Sequence, residues 1–433
     1  MHIIVIAIGT AGDVHPLLGL SSAFVKHGHR VSFCTSPAFA DSVERCGLRL
    51  IPAGTVEDYR AAVNDPNMWN PRRSLKTLWQ AVAARIRPMY DLLQAEIDDD
   101  TIIAAHPWAF SARLLNEKYG VPLVSLQISP STFFSAKKPP IHKQFTVPSW
   151  LPYPVRAGLM WAFDRGVLDR ICGPDINRIR GELGLAPIKH IIGRWIHSPQ
   201  GVLGLFPEWF APPQSDWPAN VTLTGFPLFD EGGFRDMDPE MESFLADGPA
   251  PVVFTPGSTV VDASSYYKAA VSALNNLGHR GIFLTSQSAQ LPQDTPNVLT
   301  RSYVPLSKLL PRAHALVHHG GIGTAAHAFA AGIPQLITPF AHDQFDNAAR
   351  VERLGCGFQI NAHNDEQVML QSLKRLLESE QIQQSCAAIK TQVVQGDEAC
   401  LKALSVMETL TRSIEKPRTV LVPRQERELA GSV

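Results

Sequence analysis

The segment of this chain best suited to hold an anion is His318-His319-Gly320-Gly321-Ile322-Gly323-Thr324. Three glycines in four positions let the backbone approach a ligand closely. A helix that follows such a loop presents free N–H groups and the positive end of its dipole, which suits a pyrophosphate. An imidazole adds a charge-assisted hydrogen bond, and the Thr324 hydroxyl can donate. A short glycine motif alone would be read as a plain strand-to-helix turn, but packing gives no reason for two adjacent imidazoles. Asp343 and Gln344 follow the next apolar run, so they fall on the same rim. A carboxylate beside an amide can grip vicinal hydroxyls, although aspartate is also a good helix cap. Far upstream, Gly9-Thr10-Ala11-Gly12-Asp13-Val14-His15-Pro16 turns another apolar run into an amphipathic stretch. Asp13 there is a candidate general base and His15 a competing one. The plainer alternative is a carboxylate that merely complements the helix dipole.

These residues need strand ends to carry them. Apolar runs at Ile3–Ile8, Arg30–Cys34, Leu48–Ile51, Ile102–Ala105, Leu123–Gln127 and Val202–Phe206 predict one set of strands. Runs at Pro251–Phe254, Gly281–Thr285, Val298–Tyr303, Ala315–His318 and Gln335–Thr338 predict a second. Helical spacing marks Pro16–Lys26, Ala38–Cys46, Tyr267–Leu277 and Ala325–Ala331. Strand-helix alternation implies parallel sheets covered on both faces. The fold class expected is therefore α/β, with two doubly wound Rossmann-like domains facing across a cleft. Their ligand belongs in that cleft, at the carboxyl ends of the strands. The boundaries predicted are 1–210, a Pro- and Trp-rich linker 211–235, 236–412, and a polar tail 413–433.

Length and composition agree with two domains: 433 residues, of which 45% are hydrophobic and 18% charged. With 39 basic against 40 acidic residues there is no basic excess to suggest nucleic acid. The six cysteines are scattered, without zinc-site spacing, and suit free thiols in a reducing cytoplasm. Neither a signal peptide nor a run of ~20 apolar residues is expected, while a peripheral contact with the inner membrane surface stays open. Asp236-Met237-Asp238 spells D-x-D but sits in a polar stretch, so a solvated loop is expected there and no metal.

His319 through Gln344 resembles the signature of family 1 glycosyltransferases, whose fold is called GT-B. Segments outside that signature, among them Ser129-Pro130-Ser131-Thr132, His197-Ser198-Pro199-Gln200-Gly201-Val202 and Ala341-His342-Asp343-Gln344-Phe345-Asp346-Asn347, resemble the subgroup that makes bacterial rhamnolipids. The resemblance implies a nucleotide sugar as co-substrate and no further cofactor. It implies that His319 binds the pyrophosphate, with His318 as an alternative holder, and that Gly320, Gly321, Gly323 and Thr324 contact the phosphates. Gly257, Ser258 and Thr259 match a second phosphate loop, and Gly12 faces the donor. Asp343 and Gln344 match the pair that holds the sugar. Tyr303 and Val304 fall where the base stacks and meets backbone. Asp13 takes the position of the general base, giving a single inverting displacement.

The resemblance further implies transfer of L-rhamnose from dTDP-L-rhamnose to a 3-(3-hydroxyalkanoyloxy)alkanoate, a hydroxy-fatty-acid-derived lipid. The acyltransferase that makes this acceptor becomes a candidate partner. Alternatives are a UDP-glucose-dependent lipid or sterol glucosyltransferase, a sugar-nucleotide epimerase, and a lipid-binding subunit without activity. On the acceptor side, two insertions, Val56–Gln94 and Pro130–Phe163, are dense in aromatic residues. They predict an apolar pocket with Trp79, Phe133, Phe134 and Trp161 in its wall, the alternative for any one of these rings being that it roofs the domain's core. Trp69 and Phe145 belong to the same two insertions, as do Lys137, Lys138, His142 and Lys143, which could meet an acceptor carboxylate or an anionic membrane.

Overall fold

Continuous apolar runs are what a strand buried on both faces requires, and they produce two parallel sheets. The computed structural model describes residues 1–413 apart from 69, 71, 72, 144, 145, 257–263, 286, 287, 293, 294, 296, 362 and 363. The N-terminal sheet contains β1 (His2–Ile6), β2 (Arg30–Thr35), β3 (Arg49–Pro52), β4 (Thr101–Ala105), β5 (Leu123–Gln127), β6 (Gly201–Gly204) and β7 (Val221–Leu223), in the order β3-β2-β1-β4-β5-β6-β7. The C-terminal sheet contains β8 (Val252–Thr255), β9 (Gly281–Leu284), β10 (Val298–Arg301), β11 (Ala315–His318), β12 (Gln335–Ile337) and β13 (Gly357–Gln359), in the order β10-β9-β8-β11-β12-β13. Every strand pair is parallel. In both sheets the order reverses beside the first strand, the switch point where α/β proteins bind ligands. Ile3, Ile4, Val5 and Ile6 are wholly inaccessible, each contributing about 1.5–3 kcal/mol by burial.

Four differences from the sequence reading matter. The first helix runs Ala11–Lys26, so Pro16 lies inside it and does not start it. Two strands went unread, β7 and β13, each of three residues and too short to show periodicity. β7 lies in the stretch taken as linker, yet Val221 to Leu223 pair with Val202 to Gly204 as the edge of the first sheet. Residues in that stretch and just before it are packed: the Phe226, Trp209 and Phe210 rings stand 5.3 to 6.4 Å from the Phe329 ring of the second domain. The insertion 56–94, for which no element is predicted, is largely helical through Val56–Asn64 and Ser74–Gln94, and the insertion 130–163 ends in helix Tyr153–Phe163. Finally, the last described helix, Gly396–Ser413, returns to the first domain. Its Glu408 pairs with His29 at 3.2 Å, and Thr411 Oγ1 lies 3.1 Å from Met1 Sδ.

Candidate active site

The carboxyl ends of the two sheets face one cavity of about 1280 Å³. Its floor on the N-terminal side is the turn after β1. Gly9 adopts φ +137°, and a Cβ built there would overlap the Asp13 carboxylate. Only glycine lets the chain turn this tightly, and the carboxylate then folds back over it. Asp13 Oδ2 accepts from Thr10 N at 2.8 Å and from the Thr10 hydroxyl at 3.2 Å. Its other oxygen, Oδ1, lies 3.7 Å from His106 Nε2. His106 follows β4 and is buried; its Nδ1 accepts from Trp108 N at 3.4 Å, which assigns the proton to Nε2, the nitrogen facing Asp13. Burial pushes the His106 pKa down to about 3, so the imidazole is neutral at physiological pH. Burial in the cleft also raises the Asp13 pKa, opposed by the two Thr10 bonds and by His342. A carboxylate shifted in this direction is a better base near neutrality. His15 lines the cavity but faces the connection, with its ring edge-on to Phe229 at 6.5 Å.

The second domain supplies the opposite wall. Helix Ile322–Ala331 begins at Gly321 with no side-chain cap, so its first N–H groups open on the cavity beside Thr324. A Cβ on Gly321 would stand 2.6 Å from His319 Nε2, so the missing side chain is what lets the imidazole lie over the helix start. His319 Nδ1 is buried and makes no hydrogen bond of normal geometry. Burial lowers its pKa, while the Thr255 carbonyl and Asp343 oppose the shift. The nitrogen over the uncapped helix start is Nε2, so the imidazole stands beside free helix amides, a setting that suits an anion.

Asp343 stands at the start of helix Gln344–Arg353 but makes no capping bond. Instead its Oδ2 accepts from Asn347 Nδ2 at 3.0 Å, and the carboxylate faces the cavity. Burial raises its pKa, and the Asp13 carboxylate adds to the rise. Gln344 Oε1 accepts from Phe340 N at 2.9 Å and Ala341 N at 3.0 Å, so its NH₂ is the group left for a ligand. Between the two domains stands His342, held at φ 53°, with Asp13 and Asp343 both acting on it electrostatically. Val304 and Tyr303 close one end; Tyr303 donates to the Asp230 carbonyl and carries Arg235 over its ring at 5.0 Å.

Several expected site residues are placed elsewhere. His318 is fully buried: its Nδ1 accepts from Gly320 N at 3.2 Å and its Nε2 faces Gln335 Oε1 at 3.1 Å. Burial lowers its pKa to about 3, and it braces the loop without reaching the cavity. Gly320 spends its N–H on His318 and its carbonyl on Asn347 Nδ2 at 3.0 Å, so it offers no phosphate contact. Gly12, Gly321, Gly323 and Thr324 do line the cavity. Gly257, Ser258 and Thr259 lie outside the described residues, as do Trp69 and Phe145.

None of the four aromatics assigned to the acceptor pocket lines it. Trp79 points into the core and donates to Asp175 at 2.9 Å. Phe133 is sandwiched between Trp217 at 4.2 Å and His197 at 5.7 Å. Phe134 stacks on Phe163 at 6.0 Å, and Trp161 is exposed on the outer surface. Leu75, Leu78, Val82, Ile86 and Met89 of Ser74–Gln94 line the cavity, whereas Trp79, at the edge of the same helical face, turns its ring to Asp175 and Phe110. The apolar wall is made of those five residues with Phe110, Phe163, Val167, Leu168, Ile171 and Ile192. His142 and Lys143 reach the cavity, whereas Lys137 and Lys138 do not. The D-x-D carboxylates are both taken: Asp236 pairs with Lys308 at 2.7 Å, and Asp238 caps helix Pro239–Ala246 and accepts from Arg301. Among the described residues no cluster of three or more His, Cys, Asp or Glu is placed to hold a metal.

The family profile described as the glycosyltransferase family 28 N-terminal domain matches residues 3–136. That of the erythromycin biosynthesis protein CIII-like C-terminal domain matches residues 279–397. The O-mycaminosyltylonolide 6-deoxyallosyltransferase of Streptomyces fradiae is 30% identical over 387 residues, which span 82% of this chain and 84% of that one. The chain belongs to the GT-B glycosyltransferases. A sterol 3-beta-glucosyltransferase of Candida albicans is 27% identical over 83% of this chain, which covers 24% of that longer protein. In fold, the glycotransferase of kitacinnamycin superposes with a TM-score of 0.71 at 20% identity, covering 94% of this chain and 98% of that one. The spinosyn rhamnosyltransferase complexed with thymidine diphosphate superposes with 0.63 at 18% identity, covering 94% and 100%. As a GT-B glycosyltransferase this protein takes its sugar from a nucleotide-sugar donor. The residues missed in the sequence, His106 and His342, sit at a strand end and beside the Asp343-Gln344 pair; the strand-end position was the available signal for His106.

Proposed function

We propose that this glycosyltransferase moves L-rhamnose from dTDP-L-rhamnose to the hydroxyl of a 3-(3-hydroxyalkanoyloxy)alkanoate, with inversion. The observation that carries the acceptor side is the continuity of the cavity, which passes from the Gly321–Thr324 amides, past Asp13, into an arm walled by Leu75, Leu78, Val82, Ile86 and Met89. A pocket of that composition favours an acyl chain over a polar acceptor. In this scheme Asp13 removes the acceptor proton, the freed oxygen forms the bond to the anomeric carbon, and the bond from that carbon to the β-phosphate oxygen breaks with its electron pair going to the phosphate. The N–H groups at the start of helix Ile322–Ala331, with His319, stabilise the charge that develops there. Asp343 and the Gln344 amide hold the sugar hydroxyls. A thymine base is the choice that accords with a fold neighbour complexed with thymidine diphosphate, and Tyr303 is the ring placed to meet it.

A second scheme, glucosyl transfer to a sterol, draws on the sterol glucosyltransferase relatives, since a rigid apolar acceptor would also fill the arm. One experiment separates them: kcat/KM for dTDP-rhamnose and UDP-glucose, each with hydroxyacyl acceptors of increasing length and with a sterol, below micelle concentrations. Each buried methylene contributes about 0.8 kcal/mol, so kcat/KM should climb with acyl length until the arm is full. A flat profile, or efficient transfer to a small polar acceptor, overturns the lipid assignment.

A further inference from the structure

Ten large hydrophobic side chains are exposed among the described residues, and six of them lie within one short stretch: Trp150, Tyr153, Val155, Leu159, Trp161 and Val167. Trp150 is 80% exposed and Trp161 57%. They belong to helix Tyr153–Phe163 and its flanks, and only Met160 of that helix is buried. Scattered exposed apolar residues are ordinary, but a contiguous group marks an interaction site.

The charges around the group are of one sign. Between residues 137 and 170 the basic side chains are Lys137, Lys138, Lys143, Arg156, Arg165 and Arg170, and the acidic ones are Asp164 and Asp169. Both carboxylates are buried and engaged: Asp164 with His190 at 2.6 Å, Asp169 with Arg165 and with the Ile191 N–H at 3.0 Å. Two carboxylates that reach in from elsewhere are spent on backbone, Asp216 on the N–H groups of Ala136 and Lys137, Asp346 on that of Ile141. Apart from the Arg165–Asp169 pair, the surface of the stretch is therefore cationic, on a chain whose formal net charge is -1. Lys137 rests its ammonium 4.3 Å from the Tyr153 ring, so a cation and an exposed aromatic ring meet on this surface.

We infer that this face docks on an anionic lipid surface and delivers the acceptor from it. Tryptophan and leucine beside lysine and arginine are the pairing that seats a helix at the headgroup boundary. No described helix is long and apolar enough to cross a membrane, so the contact is with the surface. The patch adjoins the acceptor arm: Val167 is exposed on it and also lines the cavity, as do its neighbours Phe163 and Leu168 and the cation Lys143. An acyl chain could thus enter the arm without crossing open water. The delivery step rests on the lipid-acceptor proposal; the docking does not.

The test is co-sedimentation of the full chain with vesicles of phosphatidylglycerol and phosphatidylcholine, or of phosphatidylcholine alone, without donor or acceptor. The wild type should partition onto the anionic vesicles at least tenfold better, and raised salt should remove the difference. Trp150→Ser with Trp161→Ser should reduce partitioning tenfold or more. Lys137→Ala with Lys138→Ala should reduce it about fivefold per charge. All these side chains are exposed, so unchanged Tm and unchanged kcat/KM on a monomeric acceptor are expected as controls. Equal partitioning of the tryptophan variant and the wild type overturns the inference. So does a wild type that ignores anionic vesicles, or a wild-type oligomer that the tryptophan variant dissolves on sizing, which would make the patch a protein interface. Absence of transfer to any lipid by the wild type would refute the acceptor assignment alone, because partitioning is read without turnover.

Discussion

Gly9→Ala should reduce turnover far more than it reduces stability. A Cβ at position 9 would stand 2.5 Å from Asp13 Cγ, where ordinary contact begins at 3.4 Å, so the carboxyl must retreat by about 1 Å. A displacement of that size at a reacting group costs ~10²-fold in rate. The backbone adds its own cost: φ of +137° is foreign to a side chain, for a penalty of about 1–3 kcal/mol in stability. Gly28→Ala separates the two effects. Gly28 also has positive φ, +82°, but nothing lies within 4 Å of its added Cβ. Both variants should melt lower than wild type. Only Gly9→Ala should lose kcat, and its binding of thymidine diphosphate, measured by calorimetry, should stay close to wild type. A Gly9→Ala enzyme with wild-type kcat would show that the position of the Asp13 carboxylate does not govern the chemical step.

Asp13→Asn keeps the shape but not the charge, and kcat should fall ~10²–10⁴-fold with folding intact; wild-type turnover would transfer the role to His15. His319→Ala should weaken thymidine diphosphate binding by about 1.5–3 kcal/mol, read by calorimetry. His318→Ala should instead lower Tm, because it orphans the buried Gly320 N–H and Gln335 amide; the reverse pattern would exchange the two roles. The base works ionised and burial raises its pKa, so kcat/KM should fall as pH drops through a value above the ordinary aspartate range. Removing the neutral imidazole in His106→Phe should move that acid limb, and a pH profile identical to wild type would exclude an influence of His106 on Asp13.

How much of this was legible depends on whether the information was local. The donor wall is a strand, a loop and a helix start contiguous in sequence, so glycines and histidines at fixed offsets exposed it. Even there, which histidine faces the ligand was not readable from the spacing. His318 is the last residue of β11 and pairs with Thr255 on one side and Ile337 on the other. A residue ladder-bonded at the centre of a sheet covered on both faces is enclosed, and the next residue is the first free to leave. That follows from β11 being central, a property of strand order that no short motif encodes. The edge strand β7 was hidden for the converse reason: three half-buried residues among prolines carry no pattern to read.

The acceptor wall was misread because residue type stood in for position. Large rings serve a core as well as a pocket, residue type alone leaves the two open, and Trp79 and Phe133 are in the core. Helix Ser74–Gln94 sets the smaller Leu75, Leu78, Val82, Ile86 and Met89 in the wall, while Trp79 at the edge of that face is held by Asp175, and flexible aliphatic side chains adapt to an acyl chain more readily than stacked rings do. The surroundings of Asp13 lay beyond any reading along one segment. Its carboxylate is fixed by Thr10 and Gly9 on its own turn, faces His106 from β4, and is influenced by His342 from the other domain. Three separate strand ends meet there because both sheets reverse their order beside the first strand. Asp13, the proposed base, is therefore set mainly within its own domain, and His342 adds an influence that exists only when the two domains face each other, which ties part of its ionisation to assembly of the whole cleft.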